Sequence, residues 1–322
     1  MRIFGAFLLS LWLVLPMTAR AADSAPSPQL SGDVTVLMAA SLADFFKKAQ
    51  AEFTNQQPAV TIQIQPGASG GLIRQVTDLN KEADIIAVAD RSLVPKFLMP
   101  KHVDWSIDFV TEQIVIIVGE NAKYASEITA ANWPQILLRP DVQYGISDPE
   151  LAPVGYRSLM VWQLAEQHYK LPKLYEQLRT KLPKSSIRNN AVALLTLVKN
   201  GELDYIFDYG SLAKQQGLRA ITLPPEINLG SPQFAERYAT ASATIPGKEP
   251  GTTTQVKGEP IVYSIAVLKN AKNPKAAEAF VGFLVSPKGR QLMAEVGMTP
   301  LMPARVTGEK LPASLQATVL QR

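Results

Sequence analysis

The chain contains no cysteine and only two histidines, His102 and His168, among its 322 residues. Without cysteine there can be no disulfide bond, no thiolate chemistry and no lipid anchor on a cysteine at a secretory cleavage site. The two histidines lie too far apart in sequence for a zinc-ligand spacing, so a zinc site would need mostly carboxylates. Walker and Gly-x-Gly-x-x-Gly phosphate loops are absent as well. We therefore expect no cofactor.

Long apolar runs are also missing. The longest extends from Ile3 to Pro16, follows Arg2 and leads to small residues that end in Ala19-Arg-Ala. This pattern predicts a secretory signal peptide over residues 1–21, cleaved near Ala21 or Ala22. The run is shorter than the roughly 20 residues that a membrane-spanning helix needs. With no lipid anchor, the mature protein is expected free in a bacterial periplasm.

Charge of either sign is sparse. The net charge is +4, and the lysines and arginines are scattered, which is too weak and diffuse for a nucleic-acid surface but would modestly assist an anionic ligand. A chain of this length with 47% hydrophobic residues can bury two substantial cores, so two domains are expected.

Strand and helix patterns alternate along the mature chain, which is typical of an α/β fold with a parallel sheet. A segment rich in Gly, Pro and Thr, Thr244 to Pro260, is predicted to be the most mobile loop. The predicted strands are 34–38, 60–65, 83–88, 114–118 and 261–268, and the predicted helices are 41–56, 69–80, 156–169, 173–181, 192–200, 274–284 and 289–296.

The turns from strand to helix carry the residues with chemical potential. Ser41 and Ser69 are predicted N-caps of their helices, and Val154 and Ala191 lie where later helices begin. In open α/β sheets ligands bind at the carboxyl ends of strands, where helix N-termini offer free amides and a positive dipole. Together with an apolar strand that ends in Asp208-Tyr209, these turns predict a cleft for a small anion.

Two other functions must be weighed for residues near these turns: serine hydrolysis and direct anion binding by arginine. Gly67-Ala-Ser-Gly-Gly also fits the Gly-x-Ser-x-Gly pattern of a serine hydrolase, but that fold needs a late histidine, and the chain offers only the two above. Arg74 and Arg157 could clamp an anion directly. We expect both to be structural instead, with Arg157 paired to Asp148.

A resemblance to a known family covers nearly the whole mature chain, from about Val34 to Pro303. The chain resembles the periplasmic molybdate- and tungstate-binding proteins of ABC transporters, and most closely the archaeal-type branch. The segments that carry the resemblance, in order, are Ala40-Ser-Leu, Gly70-Gly-Leu-Ile-Arg-Gln-Val, Ala83-Asp-Ile-Ile-Ala-Val-Ala-Asp, Trp133, Arg139-Pro-Asp-Val, Gly155-Tyr-Arg-Ser, Gly201-Glu-Leu-Asp-Tyr, Leu223-Pro and Gly258-Glu-Pro-Ile-Val-Tyr.

The resemblance implies a type II periplasmic-binding-protein fold, a Venus flytrap of two α/β domains joined by two crossover strands. It divides the chain into a signal peptide (1–21), a flexible leader (22–32), a discontinuous first domain (33–111 plus 235–306), a second domain (112–234) and a C-terminal tail (307–322). By the family's pattern, an oxyanion would be bound by the hydroxyls and backbone amides of Ser41 and Ser69, by the backbone amides of Val154 and Ala191, and by the phenol of Tyr209.

The chain departs from its archaeal-type relatives at two positions. Those relatives carry an acidic residue just before the proline of the Pro-x-Gly-Tyr-Arg segment and a glutamate before the tyrosine of the second motif, and the two carboxylates complete an octahedral metal centre. Here the positions hold Ala152 and Asp208. Asp208 is either a cleft carboxylate capped by neighbouring amides or a residue that faces the ligand. If it faces the ligand, it bonds molybdenum or tungsten directly, or is protonated and donates, or marks a branch that has changed its ligand, and both tetrahedral and octahedral coordination stay open.

The resulting prediction is a binding protein and not an enzyme. It would capture a tetrahedral oxyanion, molybdate or tungstate, and present it as a monomer to the membrane permease of an ABC transporter. Sulfate or another oxyanion is the alternative ligand, and a hydrolase using Ser69 is the alternative of another class. A third class is a periplasmic sensor or scaffold that has kept the fold and lost transport. No nucleic-acid partner is expected.

Overall fold

The computed structural model describes residues 30–249 and 251–319. The predicted signal peptide, and most of the predicted leader, lie outside the described residues. The strands are β1 (Gly32–Ala39), β2 (Val60–Gly67), β3 (Ile85–Val88), β4 (Trp105–Glu112), β5 (Ile114–Val118), β6 (Tyr144–Ser147), β7 (Ile187–Arg188), β8 (Tyr205–Tyr209), β9 (Ala220–Thr222), β10 (Ser242–Pro246), β11 (Thr253–Lys257), β12 (Ile261–Val267) and β13 (Thr299–Gly308). The helices are α1 (Ala43–Gln56), α2 (Ser69–Thr77), α3 (Trp133–Leu137), α4 (Pro153–Tyr169), α5 (Leu174–Lys181), α6 (Ala191–Lys199), α7 (Gly210–Gln215), α8 (Ala235–Tyr238), α9 (Pro274–Val285), α10 (Pro287–Glu295) and α11 (Ala313–Val319).

The first lobe is built on a six-stranded sheet with the order β13-β4-β12-β3-β1-β2. β1 pairs in parallel with both β2 and β3, whereas β12 runs antiparallel to β3 and β4. Every residue of β3 and β12 is buried, as expected for strands covered on both faces. Phe53 of α1 packs edge-to-face on Phe280 of α9, so these two helices are in contact with each other in the core of the first lobe.

The second lobe is built on a five-stranded sheet with the order β7-β6-β8-β5-β9. β6, β7 and β8 run parallel to one another, and β5 is antiparallel to β8. The core on one face holds Trp162 of α4 and Trp133 of α3, each with its ring centroid 5.5 Å from that of Phe207. The expected α/β architecture with two sheet-containing lobes is thus confirmed.

Two chain segments connect the lobes side by side. β4 ends at Glu112 and β5 begins at Ile114, so a single residue, Gln113, separates strands of the two sheets. The returning chain runs beside it, because the Asn228 carbonyl accepts from the Ile114 amide at 2.9 Å and the Asn228 side chain donates to Gln113 at 2.9 Å. We call Gln113 and residues 228–230 the hinge segments. The exact limits of the two domains stay a prediction.

The prediction of one loop from Thr244 to Pro260 is wrong at both of its sides, where residues 244–246 and 253–257 are strands. β10 and β11 form an antiparallel hairpin there, in which Ile245 pairs with Thr254. Ser242 at the base of this hairpin exchanges two hydrogen bonds with the Gln163 amide of α4, at 2.8 and 3.0 Å. The burial of Ala243, Ile245 and Val256 against the rest of the molecule outweighs the turn-forming composition.

The last helix of the described residues, α11, packs on α9 of the first lobe. Within residues 30–249 and 251–319, no helix has both the length and the apolar character that crossing a membrane requires.

Candidate functional site

The carboxyl edge of the first sheet brings Ser41 and Ser69 together. β1 and β2 are parallel and in register to their last residues, so Ala39 lies opposite Gly67. The two serines each follow two residues later, and because the strands end at one edge, the serines lie side by side. Sequence alone predicted this juxtaposition through the strand-to-helix turns.

The second lobe presents a matching edge. β6 ends at Ser147 shortly before α4, β7 ends at Arg188 just before α6, and β8 ends in Asp208-Tyr209. Since these three strands are parallel, their carboxyl ends face the same way. The N-termini of α4 and α6 therefore converge with Asp208 and Tyr209.

The two edges enclose one small cavity of about 30 Å³ between the lobes. That volume exceeds the roughly 10–15 Å³ needed by one water but suits only a small ion or molecule, not a sugar or peptide. All six residues predicted as ligand contacts line it. The full lining comprises Ala39, Ala40, Ser41, Gly67, Ala68, Ser69, Ala89, Ser147, Ala152, Pro153, Val154, Asn190, Ala191, Asp208 and Tyr209.

The serines are not the N-caps that the sequence suggested. Ser41 lies inside a short 3-10 turn, Ala40–Leu42, and Ser69 is the first residue of α2, whose N-cap is Ala68. The Ser69 hydroxyl instead accepts from the Ala89 amide at 3.0 Å, in the turn that follows β3. This bond uses one lone pair of the oxygen, and the hydroxyl proton, for which no acceptor is found among the described residues, can be donated into the cavity.

Backbone amides supply further donors. Val154 is the second residue of α4, after a proline that has no amide proton, and Ala191 is the first residue of α6. The amides of a helix's first turn have no partner within the helix and carry the positive end of its dipole. The Asn190 side chain accepts from the Ala193 amide at 3.0 Å, a cap that leaves the Ala191 amide uncommitted. Such an arrangement is suited to a small anion.

Asp208 is the only carboxylate among the residues that line the cavity, and no lysine or arginine lines it. Its side chain is fully buried, and one oxygen accepts from the Tyr209 amide at 2.8 Å. The other oxygen, Oδ2, has no hydrogen-bond partner among the described residues. Burial raises the pKa of Asp208 to about 7, although the bond from the Tyr209 amide opposes the change.

Ser147 is a cavity residue that the sequence reasoning missed. It is fully buried at the end of β6, and its hydroxyl also lacks a hydrogen-bond partner among the described residues. A buried hydroxyl without a partner is unfavourable, so a ligand that accepts from it would be stabilised. The available signal was its position as the last residue of an apolar strand, Tyr144-Gly-Ile-Ser.

Arg157 is structural, as expected, but its predicted partner was wrong. The guanidinium pairs with Asp90 of the first lobe, with Nη2 3.3 Å from Oδ2, and not with Asp148. Asp148 instead caps its own turn by accepting from the Glu150 amide. Arg74 is exposed and lines a separate groove, outside the cavity.

Neither histidine reaches the cavity, so Ser69 has no imidazole base beside it. Within the described part of the chain, no three residues of the His, Cys, Asp and Glu types cluster in a way that could hold a metal ion.

Comparison with known proteins identifies the family. The profile of a family described as "Bacterial extracellular solute-binding protein" matches residues 34–299. The chain belongs to this family. Its members bind solutes outside the cytoplasm and are not enzymes, which removes the hydrolase alternative.

Named relatives agree with this assignment. An uncharacterized solute-binding protein of Petrotoga mobilis is 40% identical over 288 residues, covering 89% of this chain and 90% of the relative. The molybdate/tungstate-binding protein WtpA of Pyrococcus abyssi is 38% identical over 295 residues, covering 83% of this chain and 84% of the relative.

Solved structures show the fold. The sulfate-binding protein SubI of Mycobacterium tuberculosis matches with a TM-score of 0.61 at 17% identity, covering 84% of this chain and 88% of that one. The periplasmic molybdate-binding protein of Azotobacter vinelandii matches with a TM-score of 0.57 at 16% identity, covering 83% of this chain and 98% of that one. The predicted type II periplasmic-binding-protein fold is confirmed.

Proposed function

We propose that this solute-binding protein captures a tetrahedral oxyanion, molybdate or tungstate, in the cavity between its lobes. The observation that carries the proposal is the convergence of neutral donors on a cavity of about 30 Å³ that no lysine or arginine lines. Hydroxyls and amides held rigidly around a buried dianion compensate its lost hydration through many short hydrogen bonds. The name of the Pyrococcus abyssi relative supports the choice of anion.

The proposed contacts come from both lobes. Ser41 and Ser69 of the first lobe and Tyr209 of the second donate hydroxyl hydrogen bonds, and Val154 and Ala191 donate from their backbone amides. Burial raises the pKa of Tyr209, so its phenol keeps the proton that it donates. Ser147, whose buried hydroxyl lacks a partner among the described residues, joins this set as a further donor.

Asp208 affects whether the molybdenum or tungsten of the bound anion is four- or six-coordinate. With Ala152 in place of a second acidic residue, the cavity lining holds one carboxylate, and the two-carboxylate pattern of a six-coordinate centre is incomplete. We therefore favour a tetrahedral anion, beside which Asp208 carries a proton and donates. An ionised carboxylate there would repel a dianion by several kcal/mol at the low effective dielectric of the site.

The cellular setting follows from the family and the N-terminal sequence. Members act outside the cytoplasm, and the basic, apolar and Ala-x-Ala segments of residues 1–21 support export to the periplasm. In the proposed cycle the lobes close over the anion, and the closed monomer delivers it to the membrane permease of an ABC transporter. The ligand selects the closed state by binding it more tightly than the open one.

A thermal-unfolding scan of the mature protein at pH 7 tests the proposal, with molybdate, tungstate, sulfate, phosphate or no anion added. A ligand at one hundred times its dissociation constant stabilises the folded state by about 2.7 kcal/mol. We expect a rise of several degrees with molybdate and tungstate. A higher unfolding temperature with sulfate alone would mean that sulfate is the ligand. An unfolding temperature that no anion raises would refute the proposal.

A further inference from the structure

Arg157 connects the two lobes beside the cavity without lining it. It belongs to α4 of the second lobe, and its side chain is 3% exposed. Its guanidinium donates to the Ala89 carbonyl of the first lobe and pairs with the Asp90 carboxylate. Burial opposes the ionisation of Asp90, but the Arg157 charge and the Tyr156 hydroxyl outweigh it and hold the pKa of Asp90 below its usual value. The ion pair is thus maintained at neutral pH.

The same guanidinium donates to the hydroxyl of Tyr209, with Nη1 2.9 Å from Oη. An arginine side chain has donors only, so the Tyr209 oxygen must be the acceptor of this bond. The single hydroxyl proton then points elsewhere, and the hydrogen bonds of the described residues include no second partner for it. Tyr209 also lines the cavity. Its proton is therefore available to a ligand oxygen there.

The hydrogen bond from Arg157 to the Tyr209 hydroxyl depends on how the two lobes are arranged. Ala89 and Asp90 follow β3 in the first lobe, whereas Arg157 and Tyr209 belong to the second. The contacts that fix the plane of the guanidinium thus come from across the cleft. Arg157 can hold the Tyr209 hydroxyl in this orientation only while the lobes are together.

We propose that Arg157 is a positioning residue that directs the hydroxyl proton of Tyr209 into the closed site, and so favours anion oxygens that carry no proton. The inference rests on the proposed function and adds a residue that does not touch the ligand. Ser69 is set in the same way by the Ala89 amide, so two hydroxyls face the cavity as donors. An anion whose oxygen bears a proton would meet a donor where it needs an acceptor.

A double-mutant cycle of Arg157→Lys and Tyr209→Phe tests this, with isothermal titration of tungstate into the mature protein. Lysine keeps the charge beside Asp90 but lacks the planar fork that contacts three partners at once. Each single variant is expected to weaken tungstate binding about tenfold or more, the range for losing one hydrogen bond to a charged ligand. The double variant should be within about threefold of Tyr209→Phe alone, because the two residues act through one bond.

Tyr156→Phe is the matched control. It removes the neighbouring hydrogen bond from α4 to Asp90 across the same cleft but does not touch Tyr209. Tyr156→Phe should change the tungstate affinity by the same factor in the wild type, which has the Tyr209 hydroxyl, and in Tyr209→Phe, which lacks it. The selectivity for tungstate over hydrogen phosphate should fall in Arg157→Lys and not in Tyr156→Phe.

Losses that multiply in the Arg157→Lys/Tyr209→Phe double variant would overturn the inference while leaving the proposed function intact. Wild-type protein that binds none of the four anions would overturn both. Thermal unfolding first establishes that each variant is folded. If Arg157→Lys is not, the cycle is run with Asp90→Asn/Arg157→Met, which removes both buried charges together.

Discussion

Replacing Asp208 by asparagine should make the ligand-free protein more stable, and the gain should grow as the pH rises. Asparagine has the same shape, and its carbonyl oxygen can still accept from the Tyr209 amide that Asp208 binds at 2.8 Å. The substitution removes a carboxyl group that is fully buried while the lobes are together, so that it must ionise without contact with water.

The magnitude follows from the pKa of Asp208, which burial raises from the ordinary value of 3.8 to about 7. Because the pKa is higher in the folded state, the carboxyl contributes fully to stability only below about pH 4, and the contribution is lost as the pH rises through about 7. A tenfold difference in acidity between the folded and unfolded states corresponds to about 1.4 kcal/mol, so the whole loss is about 4 kcal/mol. Between pH 5 and pH 8 the change is about 2–3 kcal/mol.

The assay is urea unfolding of wild type and Asp208→Asn at pH 5 and pH 8, without added anion. The difference in unfolding free energy between the two proteins should widen by about 2–3 kcal/mol from the lower to the higher pH. Asp44→Asn removes the same charge from an exposed position of α1 and controls for net charge. A difference that does not change with pH would refute the reasoning, since it would mean that Asp208 ionises in the folded protein as readily as in the unfolded one.

Two further substitutions test the site. Ser69→Ala should weaken tungstate binding about tenfold or more and destabilise the protein by about 1–3 kcal/mol, because it leaves the buried Ala89 amide unpaired; titration and thermal unfolding measure the two effects. Gly70→Ala should weaken binding by opposing closure, since a Cβ there would lie 2.9 Å from the Leu151 carbonyl oxygen of the other lobe, whereas a Cβ at the adjacent Gly71 meets nothing within 4 Å. Gly71→Ala should therefore leave affinity unchanged, and equal affinities of the two alanine variants would contradict this account of closure.

The sequence located the cavity because parallel strands impose a simple geometry. β1 and β2 were predicted as parallel strands of one sheet, so their carboxyl ends share an edge and the residues that follow them lie close together. In the other sheet the sequence predicted the end of β8 and the starts of two helices, but not β6 or β7. Ser41, Ser69, Val154, Ala191, Asp208 and Tyr209 were found in this way. Their roles as ligand contacts stay a prediction.

What the sequence did not predict depends on contacts between distant segments. Proximity in sequence favours Asp148, nine positions away, as the partner of Arg157, but the partner is Asp90, 67 positions away and in the other lobe. The composition of the β10–β11 hairpin favours turns and so predicts a loop, while its burial on α4 cannot be deduced from local composition. Ser147 was missed because a single serine at the end of a strand is too common a feature to stand out.

The hinge segments have a mechanical consequence. A single connection between two bodies permits bending, twisting and sliding, whereas two connections tied together side by side permit little beyond rotation about the line that joins them. Here the tie is direct, through the Asn228 carbonyl and side chain on Ile114 and Gln113. We therefore expect the lobes to retain one soft degree of freedom, the angle between them. A single distance between labels on the two rims of the cleft should consequently be a sufficient coordinate for the whole opening motion.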